Sequence, residues 1–194
     1  WSEWLGVRHS VMVNSGSSAN LLTLAALREL RGDGEVIVPP LTMASPAFVA
    51  LHAGAIPVFA DVHPDTWTLD PEAIARVATP RTRAIIPVAL YGLPPDMDPI
   101  MDLARKNGWF VLEDDAECFL GYYKGKVAGS IAHASSFSFQ SSKHMTSGEG
   151  GMVTTDDAEL ATKIRRMSSL GYGAVSGEAG KSRITRDDIQ DPSY

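Results

Sequence analysis

Cysteine is almost absent from this 194-residue chain, which contains only Cys118. A single cysteine excludes an intrachain disulfide framework and fits a reducing compartment, so we expect a cytoplasmic protein. A nucleophilic role for Cys118 is one interpretation of the lone thiol. A small buried core residue is the more common use of an isolated cysteine, and we favour that interpretation.

Long apolar runs and basic clusters are also missing. The longest apolar stretches, such as residues 84–90, are far shorter than the roughly 20 residues of a membrane-spanning helix. Residues 1–6 have neither the basic start nor the apolar core of a signal peptide. The chain has 17 basic and 23 acidic residues, a net charge of -6, and no basic cluster of the kind that nucleic acids require. We therefore expect neither a membrane nor a nucleic acid among the partners.

Several common catalytic motifs are absent as well. The sequence has no G-x-S-x-G elbow of a serine hydrolase and no G-x-x-x-x-G-K loop of a nucleotide triphosphatase. The five histidines are scattered along the chain, so we predict no metal site; they are His9, His52, His63, His133 and His144. An initiator methionine is missing too, and the sequence stops within a pattern at Tyr194, so we expect a piece of a longer chain.

The sequence does contain a regular alternation of short β-rich runs and helical patterns. Residues 18–30 place apolar side chains at helical spacing, and residues 35–38 form a β-rich run closed by two prolines. We predict further strands at residues 56–62, 82–90, 109–113, 134–139 and 151–155, and further helices at residues 45–53, 71–77, 98–107 and 156–170. Alternating elements of this kind predict an α/β fold with a largely parallel sheet.

Two sequence features suggest a ligand site near element ends. The small-residue turn Asn14-Ser15-Gly16-Ser17-Ser18-Ala19-Asn20 opens a helix, and the free N–H groups of a helix N-terminus suit a phosphate. An ordinary serine N-cap would look the same. The strand Phe110-Val111-Leu112-Glu113-Asp114-Asp115 runs into carboxylates at the end where α/β sheets bind ligands. A solvated acidic turn, or a cap for the next helix, is the alternative.

Two further features follow the predicted strand at residues 134–139. The segment Phe137-Ser138-Phe139-Gln140-Ser141-Ser142-Lys143 places a lysine in a polar loop, where burial or neighbouring charges can make an amine nucleophilic. An isolated lysine is more often a plain surface residue. The glycines of Gly148-Glu149-Gly150-Gly151 permit close backbone approach and positive φ. None of the four features names a ligand by itself.

One cofactor accounts for all four features together. Pyridoxal 5′-phosphate (PLP) needs an anion site for its phosphate, an acid beside its ring nitrogen and a lysine for its aldehyde. The small-residue turn, the carboxylates that end a strand and Lys143 are groups of these three kinds. The carboxylate would keep the ring nitrogen protonated, so that the ring can accept electrons from the substrate carbon.

The order of these motifs resembles the DegT–StrS family of PLP-dependent sugar aminotransferases. The resemblance covers about residues 13–170, and its last block, which contains Lys143, is the most specific. The matching segments are Ser15-Gly16-Ser17-Ser18-Ala19, Pro39-Pro40-Leu41-Thr42, Leu90-Tyr91-Gly92, Glu113-Asp114, Tyr123-Lys124-Gly125-Lys126, Phe137-Ser138-Phe139, Lys143 and Gly148-Glu149-Gly150-Gly151.

The resemblance implies a fold and a set of site residues. The fold is the large domain of fold-type I PLP enzymes, an α/β domain in which helices sandwich a mixed, mostly parallel sheet. Residues 1–170 would form part of this PLP-binding domain, and residues 171–194 a mobile connection towards a small domain beyond the chain. The implied cofactor contacts are Lys143 with the aldehyde, Asp114 with the ring nitrogen, Gly16, Ser17, Ser18 and Ser138 with the phosphate, Met43 with the ring face, and Glu117 with the phenolic oxygen.

Three of the matched positions depart from the family pattern. Met43 stands where an aromatic side chain often stacks on the ring, and Glu117 stands where the family commonly has glutamine or histidine. Asp115 replaces a small residue. A thioether can still pack on a ring face, whereas a carboxylate beside a phenolate repels it unless one of them is protonated.

The resemblance also implies an activity. An amino group would pass from glutamate or glutamine to a keto-sugar carried on a nucleotide, in a ping-pong reaction at a site built by a homodimer. A PLP-dependent sugar dehydratase, in which histidine replaces the reactive lysine, is one alternative. A regulatory protein that has lost catalysis is another. The presence of Lys143 favours amino transfer over both.

Overall fold

The computed structural model describes residues 1–171, so the predicted mobile connection at residues 171–194 lies outside the described residues except for Gly171. The strands are β1 (His9–Val13), β2 (Glu35–Val38), β3 (Ile56–Phe59), β4 (Thr82–Ile85), β5 (Phe110–Asp114), β6 (Tyr122–Tyr123), β7 (Lys126–Val127), β8 (Ala134–Ser138) and β9 (Gly151–Thr155). The helices are α1 (Ser2–Leu5), α2 (Gly16–Arg31), α3 (Ser45–His52), α4 (Pro71–Val77), α5 (Met97–Asn107) and α6 (Ala158–Ser168).

Seven of the strands form one mixed sheet in the order β1-β9-β8-β5-β4-β2-β3. The strands from β8 to β3 in this order pair in parallel, whereas β9 is antiparallel to both of its neighbours. Parallel strands bring their carboxyl ends to one edge of the sheet. The ends of β2, β4, β5 and β8 therefore meet at that edge, where β9 begins.

Alternate strand residues face two different helix layers. Val36 and Val38 pack in a core with α2, α3 and α6, whereas Ile37 between them packs with α4 and α5. Ile85 and Val111 join Ile37 in the second core, and all three are fully buried. Burying side chains of this size stabilises a fold by about 1.5–3 kcal/mol each. The predicted mostly parallel sheet between helix layers is confirmed.

The predicted helices differ from the observed ones mainly at their ends. The helix predicted at residues 156–170 begins later, because the Asp157 carboxylate, rather than that of Asp156, accepts the N–H groups of Glu159 and Leu160. Such an N-cap satisfies backbone donors that have no partner inside the helix. The end of α5 is as predicted, at Gly108 with φ 71°.

The strand predicted at residues 82–90 is wrong in its second half, because β4 ends at Ile85. Pro87 has no N–H to donate, so the ladder cannot continue through it. The Pro87 carbonyl instead accepts the N–H of Asp114 at 2.9 Å, and Val88 forms a single bridge to Asp114. These contacts place residues 87 and 88 beside the last residue of β5.

Three strands had no prediction from the sequence. The β1 strand pairs with β9 at the sheet edge, and β6 and β7 form a separate hairpin of two residues each. The two hairpin strands give too few alternations for a pattern to stand out, whereas β1 is as long as β5 and was missed. Within residues 1–171, no helix is long and apolar enough to cross a membrane. In the same residues, no three histidine, cysteine or acidic side chains are grouped to hold a metal ion.

Candidate active site

A cavity of about 550 Å³ lies at the edge of the sheet where the parallel strands end. This volume is in the range of small-molecule sites. Seven of the eight predicted cofactor residues line it: Gly16, Ser17, Met43, Asp114, Glu117, Ser138 and Lys143. The eighth, Ser18, is not among the lining residues, and its backbone N–H donates to Ser15 Oγ at 3.1 Å. Elements far apart in sequence thus converge on one site.

The first turn of α2 forms one wall of the cavity. Ser15 is the N-cap, and the N–H groups that follow it have no intrahelical partners. Gly16 lets this turn approach β8, since a Cβ at this position would lie 2.9 Å from Ser138 Cβ. Gly151 is as tightly placed, because a Cβ there would come within 2.2 Å of the Ser15 carbonyl. These two glycines hold a helix N-terminus and two strand ends close enough to form an anion cradle.

Asp114 reaches the cavity from the last position of β5 and is only 5% exposed. Asn20 Nδ2 donates to its Oδ2 at 2.7 Å, and the Ala116 N–H donates to its Oδ1 at 3.1 Å. Burial raises the pKa of Asp114, and the hydrogen bond from Asn20 is the largest effect in the other direction. The geometry therefore presents a fixed carboxylate that has hydrogen-bond donors on both of its oxygens.

The two neighbouring acids are buried as well, which excludes a solvated acidic turn. Glu113 accepts backbone N–H groups from Gly129, Ile131 and Ala132, at 2.7 to 3.1 Å. Asp115 Oδ2 has no partner among residues 1–171. Burial, followed by the charge of Glu113, raises the pKa of Asp115 well above its ordinary value. Only Asp114 of the three acids lines the cavity.

Lys143 lies in the loop after β8, with its side chain 21% exposed. Its Nζ is 3.7 Å from Glu117 Oε1, and Glu117 Oε2 accepts the N–H of Tyr91 at 3.1 Å. Glu117 therefore links the lysine to the Leu90-Tyr91-Gly92 segment. His144, the next residue, is not among the side chains that line the cavity. An amine, and no imidazole, is the reactive group that the described residues offer here.

Met43 lies on the open side of the cavity and is 70% exposed. One of its faces can contact a ligand while the other faces solvent. Sequence reasoning missed further lining residues, which are Ser15, Asn20, Thr42, Ser45, Val88, Ala116, Gln140, Ser142 and Glu149. A signal existed for Asn20, since a polar amide within the apolar face of α2 is unusual. Glu149 lay inside a motif whose glycines alone had been interpreted.

The sequence of the chain matches a family model over residues 1–185, that of the DegT/DnrJ/EryC1/StrS aminotransferase family. The chain belongs to this family. It is 46% identical over 176 residues to the spore coat polysaccharide biosynthesis protein SpsC of Bacillus subtilis, covering 91% of this chain and 45% of that protein. It is 43% identical over 171 residues to GDP-perosamine synthase of Caulobacter vibrioides, covering 88% and 46%.

Solved structures give the same result. An aminotransferase from Psychrobacter cryohalolentis superposes with a TM-score of 0.90 at 37% identity, covering 98% of this chain and 48% of that one. NtdA from Bacillus subtilis, with bound cofactor PMP, superposes with a TM-score of 0.83 at 31% identity, covering 95% and 41%. This DegT/StrS-type chain spans slightly less than half the length of the relatives named above.

Proposed function

We propose that the complete protein is a PLP-dependent aminotransferase that moves an amino group from glutamate or glutamine to a nucleotide-linked keto-sugar. The observation that carries the proposal is the convergence of Lys143, Asp114 and the Gly16 turn on one cavity. Membership of an aminotransferase family supports it. Similarity to GDP-perosamine synthase, a relative whose name contains a nucleotide-linked compound, supports it as well.

The residues of the cavity fit PLP. The turn at Gly16 would hold the phosphate, because side chains larger than hydrogen there would fill the space between α2 and Ser138. Asp114 would accept the ring N–H, since its two existing donors favour the charged carboxylate. Lys143 would hold the aldehyde, and the thioether of Met43 would pack on the ring. When bound, PLP supplies an aldehyde that takes up the amino group and a protonated ring that accepts electrons.

The residues of this chain would then perform the steps around that chemistry. Asp114 keeps a proton on the ring nitrogen by remaining an anion. Lys143 moves a proton at the substrate carbon, as general base and then as general acid, once its amine has been freed by the amino donor. Glu117, 3.7 Å from the lysine, holds the amine in place through charge attraction. Lys143 rather than His144 lines the cavity, which favours amino transfer over the dehydratase alternative.

The remaining parts of the proposal concern partners and location. A homodimer is supported by exposed apolar and aromatic side chains around the cavity, notably Met43 and Tyr91, which a second copy would cover. A small-molecule amino donor and a keto-sugar are the proposed substrates. A cytoplasmic location is supported by the free, buried thiol of Cys118.

A mass-spectrometric screen tests the proposed function. The complete protein, loaded with PLP, is incubated with glutamate or glutamine and a panel of nucleotide-linked keto-sugars. We expect one or more keto-sugars to gain an amino group in place of the carbonyl oxygen, and Lys143→Ala to remove this product. A protein that binds PLP and yet transfers no amine to any member of a broad panel would contradict the assignment.

A further inference from the structure

Asn20 occupies an unusual position in the wall of the cavity. It lies within α2, a turn beyond the N-cap, and is only 1% exposed. Its Nδ2 donates to Asp114 Oδ2 at 2.7 Å. Its Oδ1 is buried and has no hydrogen-bond partner among the described residues. A buried polar atom without a hydrogen-bond partner lowers the stability of the folded state.

The orientation of this amide follows from charge. Turning the amide over would place its carbonyl oxygen against the Asp114 carboxylate, and two acceptors would then face each other. The N–H side must therefore point at Asp114, which leaves Oδ1 without a partner among residues 1–171. A leucine of similar size would fill the same space and bury no orphaned oxygen. Folding stability alone does not explain an asparagine here, and the bond to Asp114 is the one polar contact of its side chain in the described residues.

We propose that Asn20 is a positioning residue for Asp114, which it orients towards the cavity and holds as an anion. The inference rests on the proposed function, in which Asp114 is the partner of the cofactor's ring nitrogen. Asn20 would act through Asp114, without touching the substrate itself. The bond spans 94 positions of sequence and joins α2, the helix that begins at the phosphate cradle, to the end of β5.

The charges around Asp114 show why a donor is needed. Burial raises its pKa, and the bonds from Asn20 and Ala116 and the charge of Lys143 lower it. Glu117, across the cavity, raises it further. Its chain neighbours Glu113 and Asp115 are also buried acids. Without the Asn20 donor, the carboxyl would keep its proton to a higher pH and could no longer hold a proton on the ring nitrogen.

Binding of pyridoxamine 5′-phosphate (PMP) tests this role apart from turnover, because PMP has no aldehyde to react with Lys143. Asn20→Leu in the complete protein should weaken PMP binding about tenfold at pH ~6, relative to wild type at the same pH. The loss should be smaller at pH ~8, where Asp114 gives up its proton without help. Asn20→Asp should recover most of the affinity at pH ~6. The new carboxyl group at position 20 and Asp114 would share one proton, so the new group could still donate a hydrogen bond to Asp114.

The control is Thr23→Val, which removes a buried hydroxyl of the same helix whose one hydrogen bond within residues 1–171 goes to the Ala19 carbonyl. It should leave PMP affinity unchanged at both pH values. Wild-type affinity in Asn20→Leu, or a loss equal at both pH values or shared by Thr23→Val, would overturn the inference and leave the proposed function standing. A wild-type protein that binds neither PLP nor PMP would overturn both.

Discussion

Lys143 and Asp114 are held in the cavity in different ways. Asp114 is the last residue of a central strand and is fixed by two hydrogen bonds, whereas Lys143 lies in a loop and pairs with Glu117 at 3.7 Å. In the proposed reaction Asp114 remains an anion that keeps a proton on the ring nitrogen, and such an acid benefits from a rigid site. An amine that must first bond to one atom and then carry a proton at another needs room to move. The two environments match these two roles.

Covalent labelling tests the assignment of Lys143. Borohydride reduction of the holoenzyme should attach a pyridoxyl group to Lys143, because it is the lysine among residues 1–171 that lines the cavity. Peptide mapping by mass spectrometry locates the label. Lys143→Ala should lose the label and lower kcat by on the order of 10² to 10⁴-fold. A label on Lys124 or Lys126, in and beside the β6–β7 hairpin, would show that the reactive lysine has been misassigned.

A pair of isosteric substitutions separates Asp114 from Asp115. Asp114→Asn should lower kcat by on the order of 100-fold, because a neutral amide cannot hold the proton on the ring nitrogen. Asp115→Asn should stay within a few-fold of wild type. Asp115 is not among the residues that line the cavity, and burial with the charge of Glu113 raises its pKa, so the substitution removes no charged group from the cavity wall. Steady-state kinetics on the complete enzyme distinguish the two, and equal losses or the reverse order would show that the strand end is misaligned.

At the scale of elements, the N-terminus of α2 organises the site. Its first turn contacts β8 through Gly16 and β9 through Gly151, while Asn20, further along, bonds to the end of β5. Three strands are thus positioned against one helix end. A phosphate placed there would meet free N–H groups and the positive end of the helix dipole.

The two adjacent serines of this turn should differ in their effects. Ser17 lines the cavity and accepts a hydrogen bond from Ser45 at 2.9 Å. Ser18 is not among the lining residues, and it is hydrogen-bonded to Ser15. Ser17→Ala should weaken PLP binding about tenfold, the value of one hydrogen bond to a charged group. Ser18→Ala, the matched control, should change PLP affinity less. Titration of the apoenzyme followed by visible absorbance measures both, and an effect of Ser18→Ala as large as that of Ser17→Ala would support the prediction that Ser18 also contacts the phosphate.

His133 joins β5 to the start of β8 at the other end of the sheet. Its Nδ1 accepts the Val111 N–H at 3.0 Å, and its ring stacks on Phe110. Burial, together with the charge of Arg31, lowers the pKa of His133 below its ordinary 6.5. The unfolded chain therefore binds a proton first as the pH falls, so stability present above pH 6.5 is lost as the pH drops through the folded-state pKa.

Replacing His133 with asparagine should remove this acid sensitivity. The amide oxygen of the new side chain would keep an acceptor for the Val111 N–H, and an amide cannot be protonated in this range. The unfolding free energy of His133→Asn should therefore fall less between pH ~7.5 and pH ~5 than that of wild type. Urea unfolding at the two pH values measures it. His63→Asn, on an exposed loop, is the control and should follow wild type. An unchanged pH dependence in the His133 variant would show that His133 does not set the acid limit.

Sequence patterns predicted the sheet class and most elements because alternating β-rich and helical runs are long enough to be read locally. They placed the end of β4 too late, because the apolar run continues past Pro87 although its missing N–H is a stop signal. The bond from the Asp114 N–H to the Pro87 carbonyl could not be predicted, since it joins residues distant in sequence. The same holds for the candidate site, where local motifs could be recognised in the sequence but long-range contacts could not. Lys143 and Asp114 stood in recognisable motifs, whereas the role of Asn20 arises only from a contact 94 residues away in sequence.

At the scale of the whole molecule, the described residues form a cavity with an open side. Met43, which lines the cavity, is 70% exposed. Tyr91, whose N–H bonds to the lining residue Glu117, is 81% exposed. Among residues 1–171, three acidic side chains line the cavity, whereas Lys143 is the only basic one that does so. The three acids are Asp114, Glu117 and Glu149. A phosphate cofactor and a nucleotide-linked sugar both carry negative charge. Further positive groups and a cover for the exposed rim would have to come from chain beyond residue 171 or from a second subunit.

The isolated 194-residue chain should therefore bind PLP at least about tenfold more weakly than the complete protein. The cavity walls would be present, but within residues 1–171 no side chain covers the exposed side of Met43, and Lys143 is the only basic side chain that lines the cavity. Absorbance titration with PLP, beside size-exclusion chromatography of both proteins, measures this directly. Lys143→Ala in each protein corrects for non-specific binding. A stable monomer of this chain with the full PLP absorbance and a fast half-reaction with glutamate would contradict the shared site. It would favour a self-contained cofactor-binding domain instead.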